Sequence, residues 1–251
     1  MVYFIGAGPG DRELITVKGM RILRESDCVI YAGSLINPEL LGYAKPGCEL
    51  HDSAGMTLEE VASVMQENET RGRDTARLHT GDPSVYGAIK EQIDILEGKG
   101  ILYEVVPGVS SFSGAAAAMG LEYTLPGVSQ TVILTRMEGR TPVPEKEKIK
   151  ALAAIGASMA IFLSSGMLAE LSEQLISGGL PGETPAAIVY KATWPDEKII
   201  RTTVKELPEA GSKNNINKTA IILVGKFIEG DYERSKLYDP GFTHGYRTGR
   251  A

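Results

Sequence analysis

The residues best placed to do chemistry in this chain are glycines rather than acids or histidines. Gly6-Ala7-Gly8-Pro9-Gly10-Asp11 follows the short apolar run Val2 to Ile5, which reads as a buried strand entering a loop. Glycines at such a place let the backbone turn sharply and come close to a ligand. Two more loops share this composition. Thr80-Gly81-Asp82-Pro83-Ser84-Val85-Tyr86-Gly87 follows a strand ending at His79, and Pro107-Gly108-Val109-Ser110-Ser111-Phe112 follows one ending at Val106. Ligands of open α/β sheets sit outside the carboxyl ends of the strands, so three such loops on one sheet edge would outline a cleft.

The familiar nucleotide motifs each fail on a particular residue. A dinucleotide fingerprint starting at Gly6 requires glycine at position 11, where Asp11 stands. It also needs an acid at the end of the second strand, which closes instead on Tyr31-Ala32-Gly33-Ser34. The Gly-Lys-Ser/Thr of a phosphate-cradling loop is absent. The three loops offer backbone N–H and C=O groups and small hydroxyls, which suit a cofactor with an adenine and an amino-acid tail better than a phosphate. For the first loop taken alone, a tight strand-to-helix turn without a ligand is the competing reading.

Composition narrows the classes further. The net charge of −6 argues against a nucleic-acid partner, which would demand a basic stripe, yet a few arginines can still make a local basic pocket. Cys28 and Cys48 lie outside any CxxC pattern and read as free thiols of a reducing compartment. His51, His79 and His244 lack metal-ligand spacing, so no metal site is expected. The apolar runs are too short to cross a bilayer and Met1 to Ile5 does not resemble a signal peptide, which predicts a cytoplasmic protein with no membrane contact.

The elements that must hold the loops alternate along the chain. Strands are expected at 28–31, 75–79 and 102–106, with helices after Thr16, after Thr57 and over 84–96 and 112–119. On the first helix Val17, Met20, Leu23 and Arg24 mark the apolar stripe, and Thr57 with Glu60 forms a capping box. This alternation predicts a parallel sheet covered on both faces. After a linker at 122–128 the pattern restarts, with strands at 131–134, 160–163, 186–190 and 220–224, helices at 146–154 and 167–176, and an antiparallel strand at 198–203. The expected architecture is α/β with two α/β lobes: 1–122 with the glycine loop, 123–237, and a tail over 238–251.

The three loops, in this order, resemble the tetrapyrrole methylase family over nearly the whole chain, from Val2 to Asp11 with Leu14-Ile15-Thr16, through Gly81-Asp82-Pro83 and Gly87, to Pro107-Gly108-Val109-Ser110-Ser111. The resemblance implies a homodimeric S-adenosylmethionine-dependent methyltransferase, each chain binding the cofactor in a cleft between two lobes, with a small-molecule tetrapyrrole as substrate. Position by position it places cofactor contacts at Pro9, Thr80, Gly81, Asp82 and Val85, and at Ser110 and Ser111. In the second lobe it adds Leu163, Ala187, Thr219 and Ala220. Tyr31-Ala32-Gly33-Ser34-Leu35-Ile36 and His51-Asp52-Ser53-Ala54 resemble the branch that methylates C11 of precorrin-4 or cobalt-precorrin-4 in cobalamin biosynthesis. Uroporphyrinogen methylases carry an aspartate where Ala32 stands. Methylation of another corrin position or of uroporphyrinogen III, and a non-catalytic adenosyl-ligand binding protein, are the alternatives. Transfer of an activated methyl needs alignment rather than a protein nucleophile, so no catalytic residue is assigned. A substrate with several carboxylates calls for basic groups, and Arg12, Arg136, Arg140 and Lys191 are the candidates.

Overall fold

The computed structural model describes residues 1–250, which form two compact units, each with its own sheet. Residues 1–115 and 191–197 make the first unit, and 116–190 with 198–250 the second.

In the first unit the strands are β1 (Val2–Gly6), β2 (Cys28–Tyr31), β3 (Glu49–Asp52), β4 (Thr75–His79) and β5 (Tyr103–Val106). They lie in the order β3-β2-β4-β1-β5, and every neighbouring pair is parallel. Strands buried on both faces favour apolar runs: β1 and β2 supply Phe4, Ile5, Val29 and Ile30, all fully buried, while β4 buries Ala76 and Leu78 beside the polar Thr75, Arg77 and His79.

The helices are α1 (Val17–Glu25), α2 (Leu58–Thr70), α3 (Ile89–Gly98) and α4 (Ser111–Met119), the last running across the boundary between units. Ile22 and Leu23 of α1 pack with Ile5, Val29 and Leu78. On the other face Val61 and Met65 of α2 and Leu96 of α3 pack with Phe4 and Ile30. Thr16 accepts from the Gly19 N–H, and the capping box of Thr57 and Glu60 is formed in both directions.

Three expectations need correction. Val17 is 89% exposed, and the face α1 buries is Gly19, Ile22 and Leu23. The helix expected from residue 84 starts only at Ile89, because Tyr86 and Ala88 adopt φ of 57° and 48°, a left-handed backbone incompatible with continuing a right-handed helix. The strand β3 was not expected at all.

The second unit contains β6 (Val132–Arg136), β7 (Ser158–Phe162), β8 (Pro185–Tyr190), β9 (Lys198–Thr203) and β10 (Ala220–Val224), with α5 (Ile149–Ala153), α6 (Leu168–Ser177) and α7 (Leu207–Lys213). The strand order is β6-β7-β10-β8-β9. Only β6 and β7 are parallel; β10 runs antiparallel to β7 and β8, and β8 antiparallel to β9. The strand-and-helix pattern therefore restarts in sequence but builds a mixed sheet. Its core joins Ile161, Ile188 and Ile222 to Leu171 and Leu175 of α6 and Leu207 of α7. The expected linker is tied into this unit: Tyr123 is buried with its ring 4.8 Å from that of Phe227, and its carbonyl accepts from the Ser158 hydroxyl at 2.7 Å. No helix among the described residues is long and apolar enough to cross a membrane.

Candidate functional site

Parallel register brings the three loops together. Gly6 lies level with His79, and Ile5 level with Leu78 on one side and Val106 on the other, so β1, β4 and β5 release their loops side by side. The loops then touch backbone to backbone. A Cβ on Gly6 would fall 2.5 Å from Gly108 Cα and 2.7 Å from the Gly81 carbonyl oxygen, and one on Gly108 would fall 2.2 Å from that oxygen. Any side chain at position 6 or 108 would push the loops apart. The Gly81 N–H donates to Gly8 O at 2.8 Å, the Gly8 N–H to Gly81 O at 3.3 Å, and the Ala7 N–H to His79 O at 2.8 Å.

Asp82 fastens the second loop to the third. Its Oδ2 accepts from the Gly108 N–H at 2.8 Å, and its Oδ1 accepts from the Ser84 N–H at 2.8 Å and from the Ser84 hydroxyl. Partial burial works to raise the carboxyl pKa, but the bonds from the Ser84 hydroxyl, Gly108 and Ser84 N–H outweigh it and hold the group below the ordinary aspartate value. Asp82 thus ties a turn and a neighbouring loop.

The other expected donor-binding residues of this unit lie on the same loops. Pro9 and Gly81 are buried, Thr80 and Val85 half-buried. The Thr80 hydroxyl donates to Leu35 O at 3.1 Å, linking this edge to the loop after β2. Ser110 is buried, and its carbonyl accepts from the Ser113 and Gly114 N–H groups at 3.1 Å as α4 begins at Ser111.

Beneath the loops lies a buried polar group that sequence reading did not single out. Arg77 is 8% exposed; its Nη1 donates to Ser53 Oγ at 2.8 Å and its Nε to Gln92 Oε1 at 3.3 Å. Burial brings the guanidinium down to about 10, and burial plus the Arg77 charge bring His79 down to about 3, so the imidazole stays neutral. Because β4 alternates like any strand, Arg77 and His79 share a face. The signal was an arginine between the apolar Ala76 and Leu78 in a short buried strand.

In the second unit, Leu163 follows β7 directly, and the antiparallel register carries Thr219 and Ala220 to the same edge, with Ala220 opposite Tyr190. Ala187 is set apart, fully buried in the interior of β8 opposite Leu223.

Backbone strain collects at these strand ends. Seven non-glycine residues have positive φ among the described residues, and six of them, Tyr86, Ala88, Leu163, Lys191, Thr193 and Thr219, lie in loops at strand ends. Each such conformation costs about 1–3 kcal/mol and marks a backbone fixed by its surroundings.

The basic candidates differ in how they are engaged. Arg136 donates to the carbonyls of Met137, Thr141 and Pro142 at 2.9–3.2 Å, so it shapes its own loop. Arg12 faces Glu39 at 3.4 Å, and Lys191 faces Asp196 at 2.6 Å. Arg140 is exposed and has no ion-pair partner among the described residues.

Two predictions follow from the contact of the loops. Gly108→Ala should lower the unfolding free energy by about 3 kcal/mol, since backbone must move to admit a methyl group; an unchanged urea midpoint would contradict this. Asp82→Ala should cost about 1–3 kcal/mol at neutral pH by stranding the Gly108 N–H. Because the folded carboxyl titrates lower than the unfolded one, the stabilisation is complete above about pH 4 and fades as pH falls through the folded value. Urea titrations of both proteins at pH 7 and pH 3 should show the gap closing at the acid end; a gap independent of pH would refute the assignment.

Comparison with known proteins gives a consistent result. The family described as Tetrapyrrole (Corrin/Porphyrin) Methylases matches residues 1–208. A cobalt-precorrin-4 C(11)-methyltransferase from Methanocaldococcus jannaschii is 53% identical over 98% of this chain and 95% of its own length. The crystal structure of a cobalt precorrin-4 methyltransferase, 50% identical, superposes with a TM-score of 0.89 over 91% of this chain and 96% of that one. A uroporphyrin-III C-methyl transferase from Thermus thermophilus, complexed with S-adenyl homocysteine, is 25% identical with a TM-score of 0.75, covering 91% and 93% of the two chains. With sequence and structure in agreement over this length, the chain belongs to the tetrapyrrole methylase family.

Proposed function

We propose that this enzyme transfers a methyl group from S-adenosylmethionine to C11 of precorrin-4, or of its cobalt form, in cobalamin biosynthesis. The observation that carries the reading is the convergence of the loops after β1, β4 and β5 on one sheet edge, sealed by Gly6, Gly81 and Gly108. Support for the position methylated comes from the activities of the similar proteins.

The residues present fit the proposed donor. The edge is lined by close-packed backbone, Pro9, and the small side chains of Thr80, Ser110 and Ser111, which offer N–H, C=O and hydroxyl groups to an adenosyl group and its amino-acid tail. Bound there, S-adenosylmethionine would supply a methyl already activated by its sulfonium. The chain's own work is alignment: Pro9, Gly81, Asp82 and Val85 on one side and Ser110 and Ser111 on the other hold the donor so that the acceptor carbon meets the methyl in line. Leu163, Ala187, Thr219 and Ala220 belong to the same proposal on the strength of the family resemblance alone. Asp82 keeps its negative charge at neutral pH because its hydrogen bonds favour that form. The reading carries with it a cytoplasmic homodimer; the free thiols of Cys28 and Cys48 suit a reducing compartment.

Incubation with methyl-labelled S-adenosylmethionine and precorrin-4 or cobalt-precorrin-4, followed by NMR of the product, should place the label at C11. Label at another ring carbon, or none with either substrate, would overturn the assignment. Of the four basic candidates, Arg140 is exposed and outside any ion pair among the described residues, and it is the one we assign to a substrate carboxylate. Arg140→Ala should raise the tetrapyrrole KM about tenfold and leave S-adenosylhomocysteine affinity intact; an unchanged KM removes Arg140 from the site.

A further inference from the structure

The segment Lys191–Glu197, which lies between β8 and β9 in sequence, belongs to the first unit. It meets that unit at the glycine loop. The Trp194 indole N–H donates to Pro9 O at 2.9 Å, and the Asp11 N–H donates to Thr193 Oγ1 at 2.9 Å. The ring also fills the place of a side chain at position 10: a Cβ on Gly10 would fall 2.1 Å from Trp194 Cδ1. On the other side, Pro9 and Thr193 share the surface of α4 at Gly114, where a Cβ would fall 2.9 Å from Pro9 Cγ and 3.2 Å from Thr193 Cγ2. Asn37 completes the frame, donating from Nδ2 to Gly10 O at 2.8 Å.

We propose that Trp194 is a positioning residue for the methyl donor: its indole N–H and ring fix the carbonyl and path of Pro9–Gly10, and so the shape of the surface the donor rests on. This rests on the reading of that loop as the donor site. Two features set the segment apart from ordinary packing. Lys191 and Thr193 both hold positive φ, 47° and 70°, a strained path that delivers the indole and the Thr193 hydroxyl to adjacent residues of one loop. Lys191 Nζ also lies 5.3 Å from the indole centroid while paired to Asp196, which restrains the ring from a second side. The segment therefore acts on three consecutive residues, Pro9 to Asp11, and a fault in it is felt at the donor.

Trp194 is the chain's single tryptophan, so its emission reports on this contact. Binding of S-adenosylhomocysteine to the wild-type protein should change that emission saturably, with the midpoint found by calorimetry. Trp194→Phe, which keeps an aromatic ring but loses the N–H, should weaken S-adenosylhomocysteine binding about five- to tenfold. The tetrapyrrole KM should stay within about twofold and the Tm within about 2 °C of wild type. Thr193→Val should weaken donor binding in the same direction, and Thr193→Ser should restore it. Wild-type donor affinity in both Trp194→Phe and Thr193→Val, with or without a lowered Tm, would make the segment merely structural and overturn the proposal. Failure of the wild-type protein to bind S-adenosylhomocysteine would overturn the donor reading and this inference together.

Discussion

The first unit depends on three backbones meeting without side chains between them. Gly6, Gly81 and Gly108 come from three separate loops, and the contact is possible only because positions 6 and 108 lack a Cβ. Parallel pairing of β1 with β4 and β5 brings the loops to one level. The glycines then let them close on each other, and Asp82 locks the closure by accepting from Gly108. What results is a surface of N–H and C=O groups with small side chains, suited to holding and orienting a ligand that brings its own reactivity.

That surface stands on a polar base rather than a purely apolar one. Arg77 is buried between Ser53 and Gln92, and His79 is buried and neutral directly before the loop that carries Gly81. Burying an arginine is costly unless its donors are satisfied. The bonds to Ser53 and Gln92 engage two of its donors and tie the loop after β3 and the start of α3 to the strand that leads into the site.

Much of this was legible in the sequence, for physical reasons. Strands β1 and β2 are buried on both faces and read as apolar runs, and β4 is marked by Ala76 and Leu78; the capping box before α2 needs Thr57 and Glu60 three apart. Strand β3 escaped because it lies at the sheet edge with Leu50 half-exposed and polar residues on either side, so no apolar run marks it. The late start of α3 escaped because Tyr86 and Ala88 take a left-handed backbone that side chains of their type rarely adopt. In the second unit, a short apolar strand carries no mark of direction, and the antiparallel pairing of β10 could not be read from composition. The site was legible where glycine and proline spacing expressed it. It was hidden where it depends on distant partners: Trp194 and Thr193 stand more than 180 residues from the loop they hold. Charge alone likewise could not separate Arg136, spent on its own loop carbonyls, from the exposed Arg140.

Backbone amide hydrogen exchange with and without S-adenosylhomocysteine tests the central claim most directly, because the surface in question is made of backbone. Added ligand should slow exchange together at residues 7–11, 81–85 and 108–111, the three loops that meet through glycine. Slowing confined to one of these loops, or found only elsewhere in the chain, would contradict the account.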